Sequence, residues 1–231
     1  MDLYKYETHL HTSEASACAS STGEEMALAH KKAGYTGIIV TDHFFNGNTS
    51  VPENLPWSER IELFCKGYEN AKKCGDEIGL QVFFGLEYGV EHSDFLTYGP
   101  DKKWLIEHPE IMDMNLCDYI RFIQKAGGMV IQAHPFREAY YIKMTRYAPR
   151  YVDGIEVINA SHENPEFNKR AEFYARSYDL PVTAGSDTHS AEYMFGGGVA
   201  FDHKLASVHE YIKLVKTRKI NSLLKGVYGQ Q

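Results

Sequence analysis

Seven ligand-capable residues of this 231-residue chain fall in four short motifs: His9-Leu10-His11, Thr41-Asp42-His43, His134-Pro135 and Ser186-Asp187-Thr188-His189. Imidazole and carboxylate together are the ligand set of zinc, manganese or iron at a hydrolytic centre. His9 and His11 alternate along an extended run, so both side chains leave the same face, with Cα atoms about 7 Å apart, and can chelate one ion. His43 follows Ile38-Ile39-Val40-Thr41-Asp42. His134 follows Val130-Ile131-Gln132-Ala133 and precedes a proline that stops a strand. Asp187 and His189 alternate again after Val182-Thr183-Ala184-Gly185-Ser186. Alone, each motif reads as a hydrogen-bonded loop residue. Four of them in the same strand-end context read as one site.

Glu87 ends the apolar run Val82-Phe83-Phe84-Gly85-Leu86, where an acid is costly to bury without a partner. A carboxylate there could bridge two cations about 3.5–4 Å apart. Asp94 opens the next run, Asp94 to Tyr98, and could cap one of those ions; His92 competes, but Asp94 adjoins the strand. Arg137, three residues after His134, belongs to the same mouth and could grip a phosphoryl oxygen bidentately. Asn159 and His162 follow another strand-like run and should border the pocket. The 44–60 region, with Phe44, Phe45 and Trp57, reads as a flexible loop near the mouth that shapes selectivity. Aromatic-rich 140–151 reads as amphipathic packing in preference to a base-stacking platform.

These residues need a scaffold that gathers distant strand ends. Short, near-continuous apolar runs at 36–41, 81–86, 129–133, 154–158 and 181–185 suit strands covered on both faces. Further strands are expected at 3–8 and 94–98. Helices are expected near 23–34, 57–79, 115–127, 165–179 and 205–219. Ser21 or Thr22 followed by Glu24 and Glu25 signals a cap for the first, Asn164-Pro165 starts the fourth, and Asp179-Leu180-Pro181 ends it. Strand–helix alternation implies a mainly parallel sheet. A barrel brings all its strand ends to one mouth, whereas an open sheet gathers two or three. An α/β barrel of seven or eight strands is therefore expected, as one domain over 1–231, since no Pro/Gly/Ser linker or repeat interrupts the chain.

A net charge of −7 argues against membrane-surface binding and against long nucleic acid, though not against a short oligonucleotide. No apolar stretch approaches the roughly 20 residues a bilayer needs. The N-terminus shows no signal-peptide pattern, and Cys18, Cys65, Cys74 and Cys117 have no CxxC spacing. Reduced thiols and a cytoplasmic setting are expected. The sequence is silent on oligomeric state.

The ordered set HxH, TDH, Gly85-Leu86-Glu87, His134-Pro135 and Gly185-Ser186-Asp187-Thr188-His189 resembles the PHP (polymerase and histidinol phosphatase) family over nearly the whole chain. The resemblance implies a distorted (β/α)7 TIM-like barrel holding two or three divalent metal ions and hydrolysing phosphate esters. It implies one ion on His9, His11, Glu87 and Asp187, a second on Glu87, His134 and the Asp94 position, and a third on His43, His189 and one residue from the loop after His11. Two departures stand out. Asp94 occupies a position where many relatives have histidine. The loop Thr12 to Cys18 lacks the family's usual His or Asp, leaving Cys18 and Glu14 as alternatives, with a buried structural cysteine as the bland reading of Cys18.

The expected activity is hydrolysis of a small phosphomonoester by a metal-activated water, with Asp187 or a histidine at the metal edge assisting proton transfer. A phosphodiesterase or 3′–5′ exonuclease acting on nucleotides or short oligonucleotides is the nearest rival. An amidohydrolase-like enzyme or a non-catalytic metal-binding domain is the more distant one.

Overall fold

The computed structural model describes residues 3–227. Its elements follow in order as β1 (Tyr4–Leu10), α1 (Gly23–Lys32), β2 (Gly37–Val40), α2 (Trp57–Phe64), α3 (Lys66–Ile78), β3 (Gln81–Val90), β4 (Ser93–Tyr98), α4 (Lys102–Glu107), a 3₁₀ turn at Pro109–Asp113, α5 (Leu116–Lys125), β5 (Met129–Gln132), β6 (Gly154–Asn159), α6 (Pro165–Ser177), β7 (Val182–Gly185), β8 (Gly197–Phe201), α7 (Val208–Lys216) and β9 (Ser222–Lys225). One sheet takes all nine strands in the order β7-β6-β5-β4-β3-β2-β1-β8-β9.

Six strands (β1, β2, β3, β5, β6 and β7) run parallel, as the alternating pattern requires. β4 is reversed between β3 and β5, entered by a two-residue hairpin in which Glu91 and His92 both have positive φ. β1 divides its second edge. Its first half pairs antiparallel with β8, and its end meets the segment after β7: the His11 amide donates to the Thr188 carbonyl (2.9 Å) and the Asp187 amide to that of His9 (2.8 Å). That pairing rolls the sheet into a nearly closed barrel, so the ends of β1 and β7 meet side by side.

Local chemistry explains the elements. Thr22 caps α1 in a capping box with Glu25, and Asn164 caps α6 ahead of Pro165. The expected helix over 57–79 is two helices that break at Cys65. The break lets Gly67, in the first turn of α3, pack against Thr12, where a Cβ would overlap the Thr12 hydroxyl. β8 and β9 were absent from the sequence expectation. Glycine at 196–198 weakens strand propensity, and β8 forms because β1 offers it an unpaired edge.

Inside the barrel Tyr6, Leu96, Tyr98, Ile131 and Phe201 pack with Tyr211 and Val215 of α7, and the Tyr98 hydroxyl donates to the Thr8 carbonyl (2.9 Å). Residues 44–56 form the expected loop, but its aromatic residues are buried and α2 begins at Trp57. Phe44 and Phe45 are buried against Trp57, Phe64 and Tyr88, and Trp57 starts α2 and donates its indole N–H to the Leu105 carbonyl. Its aromatic residues gain more from burial than a mouth loop would allow. Among the described residues, no helix is long and apolar enough to cross a membrane.

Candidate metal centre

β1 delivers His9, and His11 follows at its end. Their Nε2 atoms lie 3.2 Å apart. From β3, Glu87 Oε1 approaches His9 Nε2 (3.2 Å) and His134 Nε2 (3.3 Å), while Oε2 approaches His11 Nε2 (3.5 Å). Asp187 Oδ1, beyond β7, stands 3.1 Å from His11 Nε2 and 3.4 Å from His9 Nε2; its Oδ2 is 3.8 Å from His134 Nε2. All five residues are buried. His134 (φ 28°) and Asp187 (φ 54°) hold left-handed backbone that costs on the order of 1–3 kcal/mol each and persists only where the surroundings enforce it.

These residues suit a divalent metal. Two ligands about 2.1 Å from one tetrahedral ion stand about 3.4 Å apart, close to the spacings here. Ligand atoms of His9, His11 and Asp187 fall within 4.8 Å of one another, as do those of His9, Glu87 and His134, and those of His11, His43 and His189. Glu87 Oε2 and His43 Nδ1 are buried, 2.7 Å apart, yet neither makes a hydrogen bond. A buried carboxylate oxygen and an imidazole nitrogen left this way are what a cation would satisfy.

The far nitrogens of the imidazoles are already committed. Ser16 Oγ donates to Asp42 Oδ1 (2.7 Å), so it accepts from His11 Nδ1–H (3.1 Å) and from the His43 amide (3.0 Å). His189 Nδ1–H donates to the Asp187 carbonyl (2.9 Å). His9 Nδ1–H donates to Glu156 Oε1 (2.9 Å). In each case Nε2 is the nitrogen left to face a cation, which would displace any proton held there. Burial disfavours charge on His9, but the Glu156 and Glu87 carboxylates outweigh it and hold the imidazole up at about 10. The pocket therefore favours positive charge at this spot. Burial likewise raises Asp42, to about 6, against the bonds it receives from Thr12 and Ser16.

Asp42, part of the second motif, thus ties the Thr12–Ser16 turn to β2. Asp94 lies at the mouth in a small cavity with His134, Arg137, Ile142, Thr145 and also His92; among the described residues no trio of ligand atoms within 4.8 Å includes it. Arg137 reaches this mouth, 22% exposed, and its guanidinium pairs with Asp187 Oδ2. Glu14 is turned away. Its carboxylate accepts from the Gly23 amide at the start of α1 (3.1 Å) and from Asn70 (2.9 Å), which removes it as a ligand candidate. Cys18 lies nearer the site: burial raises its thiol, but the neighbouring His189 and His43 outweigh it and bring it down to about 6.

Asn159 donates to Glu156 Oε2 (3.0 Å), and His162 stands with its ring 6.4 Å from that of His134 while lining a cavity of about 620 Å³ between α6, β6, β7 and β9. Tyr147 packs on Phe136 and Tyr174 as expected of an amphipathic stretch, whereas Tyr140 is 96% exposed.

Sequence reasoning missed Glu156. Buried in β6, it accepts from His9 Nδ1, the His134 amide (3.0 Å) and Asn159 Nδ2, and so fixes two candidate ligands at once. The signal was present: Gly154-Ile155-Glu156-Val157-Ile158 places an acid in an apolar strand, as at Glu87. Glu7, which accepts from the Thr8, His9 and Ser186 amides, lies among polar residues and carries no such signal.

The PHP-associated family profile matches residues 165–215. No curated protein matches the sequence. Among solved structures, a two-domain protein from Bacteroides vulgatus containing a predicted PHP-like metal-dependent phosphoesterase superposes with a TM-score of 0.67 at 14% identity, covering 95% of this chain and 64% of that one. The chain thus spans less than two thirds of that protein. PsfC from Pseudomonas syringae gives 0.59 at 15% identity, covering 92% and 88%. An amidohydrolase from Chromobacterium violaceum, with bound sulfate and no metal, gives 0.56 at 13%, covering 94% and 97%. These likenesses establish a shared barrel fold. The family profile over α6 and α7 is similar to this chain at that segment only, and together with the shared fold it supports a likeness to the PHP domain family.

Proposed function

We propose that this chain, acting as one domain over 1–231, is a metal-dependent phosphoesterase that hydrolyses a small phosphomonoester. One observation carries the reading. The Nε2 atoms of His9, His11 and His134 converge on the carboxylates of Glu87 and Asp187 at 3.1–3.8 Å, with the other nitrogens of His9 and His11 already hydrogen-bonded elsewhere.

In this reading His9, His11, Glu87 and Asp187 hold one ion and Glu87, His134 and Asp94 a second, with His43 and His189 beside them. Glu87 faces both sets because its two oxygens look toward different histidines. Divalent ions, zinc, manganese or iron, would supply charge neutralisation at a phosphoryl group and acidify water. Arg137 carries a fixed positive charge to the mouth and can exchange Asp187 for a phosphoryl oxygen. Asp187, released from that pair at Oδ2, is placed to take or return the proton that an alcohol leaving group needs. Sulfate in the Chromobacterium amidohydrolase, a tetrahedral dianion like phosphate, supports an oxyanion ligand for this fold. The net charge of −7 favours a small substrate over long nucleic acid. All four cysteines are free, which supports a reducing, cytoplasmic setting.

The rival is a phosphodiesterase or 3′–5′ exonuclease. An aryl phosphate, its diester and a short oligonucleotide assayed side by side separate the two: the monoester should turn over fastest, and preference for diester or oligonucleotide would overturn the monoesterase. An amidohydrolase using a carboxylated lysine is disfavoured, because the only lysines in the nine strands, Lys5 and Lys225, are exposed.

A further inference from the structure

We propose that the cavity between α6, β6, β7 and β9 receives the alcohol portion of the substrate, with His162 accepting a hydrogen bond from a hydroxyl on it; this rests on the phosphoesterase reading above. The cavity measures about 620 Å³, within the range of about 300–1,000 Å³ that small-molecule sites occupy. Ile158, Ala175, Leu180, Val182 and Leu223 give it an apolar wall. Asn159 and His162 stand at the end where β6 reaches the metal centre. Asn159 donates to Glu156 Oε2 (3.0 Å), which also accepts from the His134 amide (3.0 Å), and the His162 ring lies 6.4 Å from that of His134. A group bound at His162 therefore sits beside a residue placed to hold an ion.

Hydrogen bonds fix the tautomer that His162 presents. Asn168 Oδ1 accepts from the Asn159 amide (3.0 Å) while its Nδ2 donates to the Asn159 carbonyl (3.1 Å), which sets the orientation of this side-chain amide. The same Oδ1 lies 3.0 Å from His162 Nδ1, so Nδ1 carries the proton. Phe167 packs edge-on against the ring at 5.3 Å and holds it in place. Nε2 is left as a lone-pair acceptor in a side chain only 7% exposed, with no hydrogen-bond partner. Burial lowers the imidazole to about 3, so it stays neutral. A buried acceptor without a donor is costly, and the metal centre makes no use of this one. A ligand that brings a donor recovers that cost. Arg137 and an ion on His134 would repel a cationic donor, which leaves a hydroxyl.

Two measurements on full-length protein test the proposal. In the first, metal-stripped protein carrying ¹⁵N-labelled histidine is titrated with hexane-1,2-diol, a bare alcohol portion. The His162 Nε2 resonance should shift saturably, and no shift overturns the cavity as a binding site. In the second, metal-loaded protein is assayed on 2-hydroxyhexyl phosphate and on hexyl phosphate. Wild type should prefer the hydroxylated ester by roughly tenfold in kcat/KM, chiefly through KM, and His162→Leu should cut that preference to within about threefold. No preference in wild type, or an equal preference in His162→Leu, overturns the assignment of His162. Should His162→Leu fail to fold, the resonance shift and the wild-type preference still decide. Turnover of neither ester overturns the phosphoesterase reading instead, and the diol titration then decides the cavity alone.

Discussion

Replacing Glu156 by Gln keeps the shape of the side chain and removes one hydrogen-bond acceptor, and the geometry leaves the amide no harmless orientation. With its oxygen toward His9 Nδ1, its NH₂ faces two donors, the His134 amide and Asn159 Nδ2, each 3.0 Å from the present carboxylate. With the amide flipped, NH₂ meets His9 Nδ1–H, and the imidazole must move its proton to Nε2, the nitrogen that faces Glu87 and Asp187. Hydrogen bonds to a buried charged group contribute about 1.5–3 kcal/mol, and loss of a partner that orients a ligand costs roughly 10–100-fold in metal affinity. Glu156→Gln should therefore weaken zinc binding by about 10–100-fold, read by competition against a chromophoric chelator at fixed pH. Asn159→Ala keeps the carboxylate and both histidine contacts and should cost less than about tenfold. A Glu156→Gln affinity within about threefold of wild type, well below that range, would refute the claim that this carboxylate sets the tautomer and position of the ligands.

His30, buried in α1, donates Nδ1–H to the Met26 carbonyl and has no partner at Nε2, and burial lowers it to about 4. Its folded pKa lies below the unfolded value near 6.5, so its contribution is fully present above pH 6.5 and drains away as pH falls toward 4. His30→Leu should remove about 2 kcal/mol of the stability that wild type loses between pH 7 and pH 5; equal pH slopes in urea melts of the two proteins would exclude this. Gly67→Ala forces a Cβ into the Thr12 side chain and to 3.0 Å from Asp42 Oδ2. It should cost about 1–3 kcal/mol, a loss of several degrees in melting temperature at about 2–4 °C per kcal/mol, and an unchanged melt would show that α3 has room to move.

The ligand motifs were legible because each lies where an apolar run ends, and the fold needed only a closed sheet to gather them. Glu87 was legible as an acid in an apolar strand, and the same reasoning applied to Glu156 would have found the carboxylate that orients His9. Ser16 carried no such signal, since its role exists only once Asp42, His11 and His43 surround it. β8 was hidden by its glycines and is specified by the free edge of β1. The loop after His43 was legible, whereas the burial of Phe44 and Phe45 in it was not, because only tertiary packing supplies their partners. That Glu14 is turned away depended on where a short loop folds back, which only tertiary hydrogen bonds decide.

The most direct test of the central claim is phosphate release from an aryl phosphate monoester by chelator-stripped protein, before and after divalent metal is restored. The metal centre predicts no turnover when stripped, recovery on reloading with zinc or manganese, and none at any loading for Glu87→Ala with the fold intact. Turnover indifferent to chelator and to Glu87→Ala, or no hydrolysis with any metal, would contradict it.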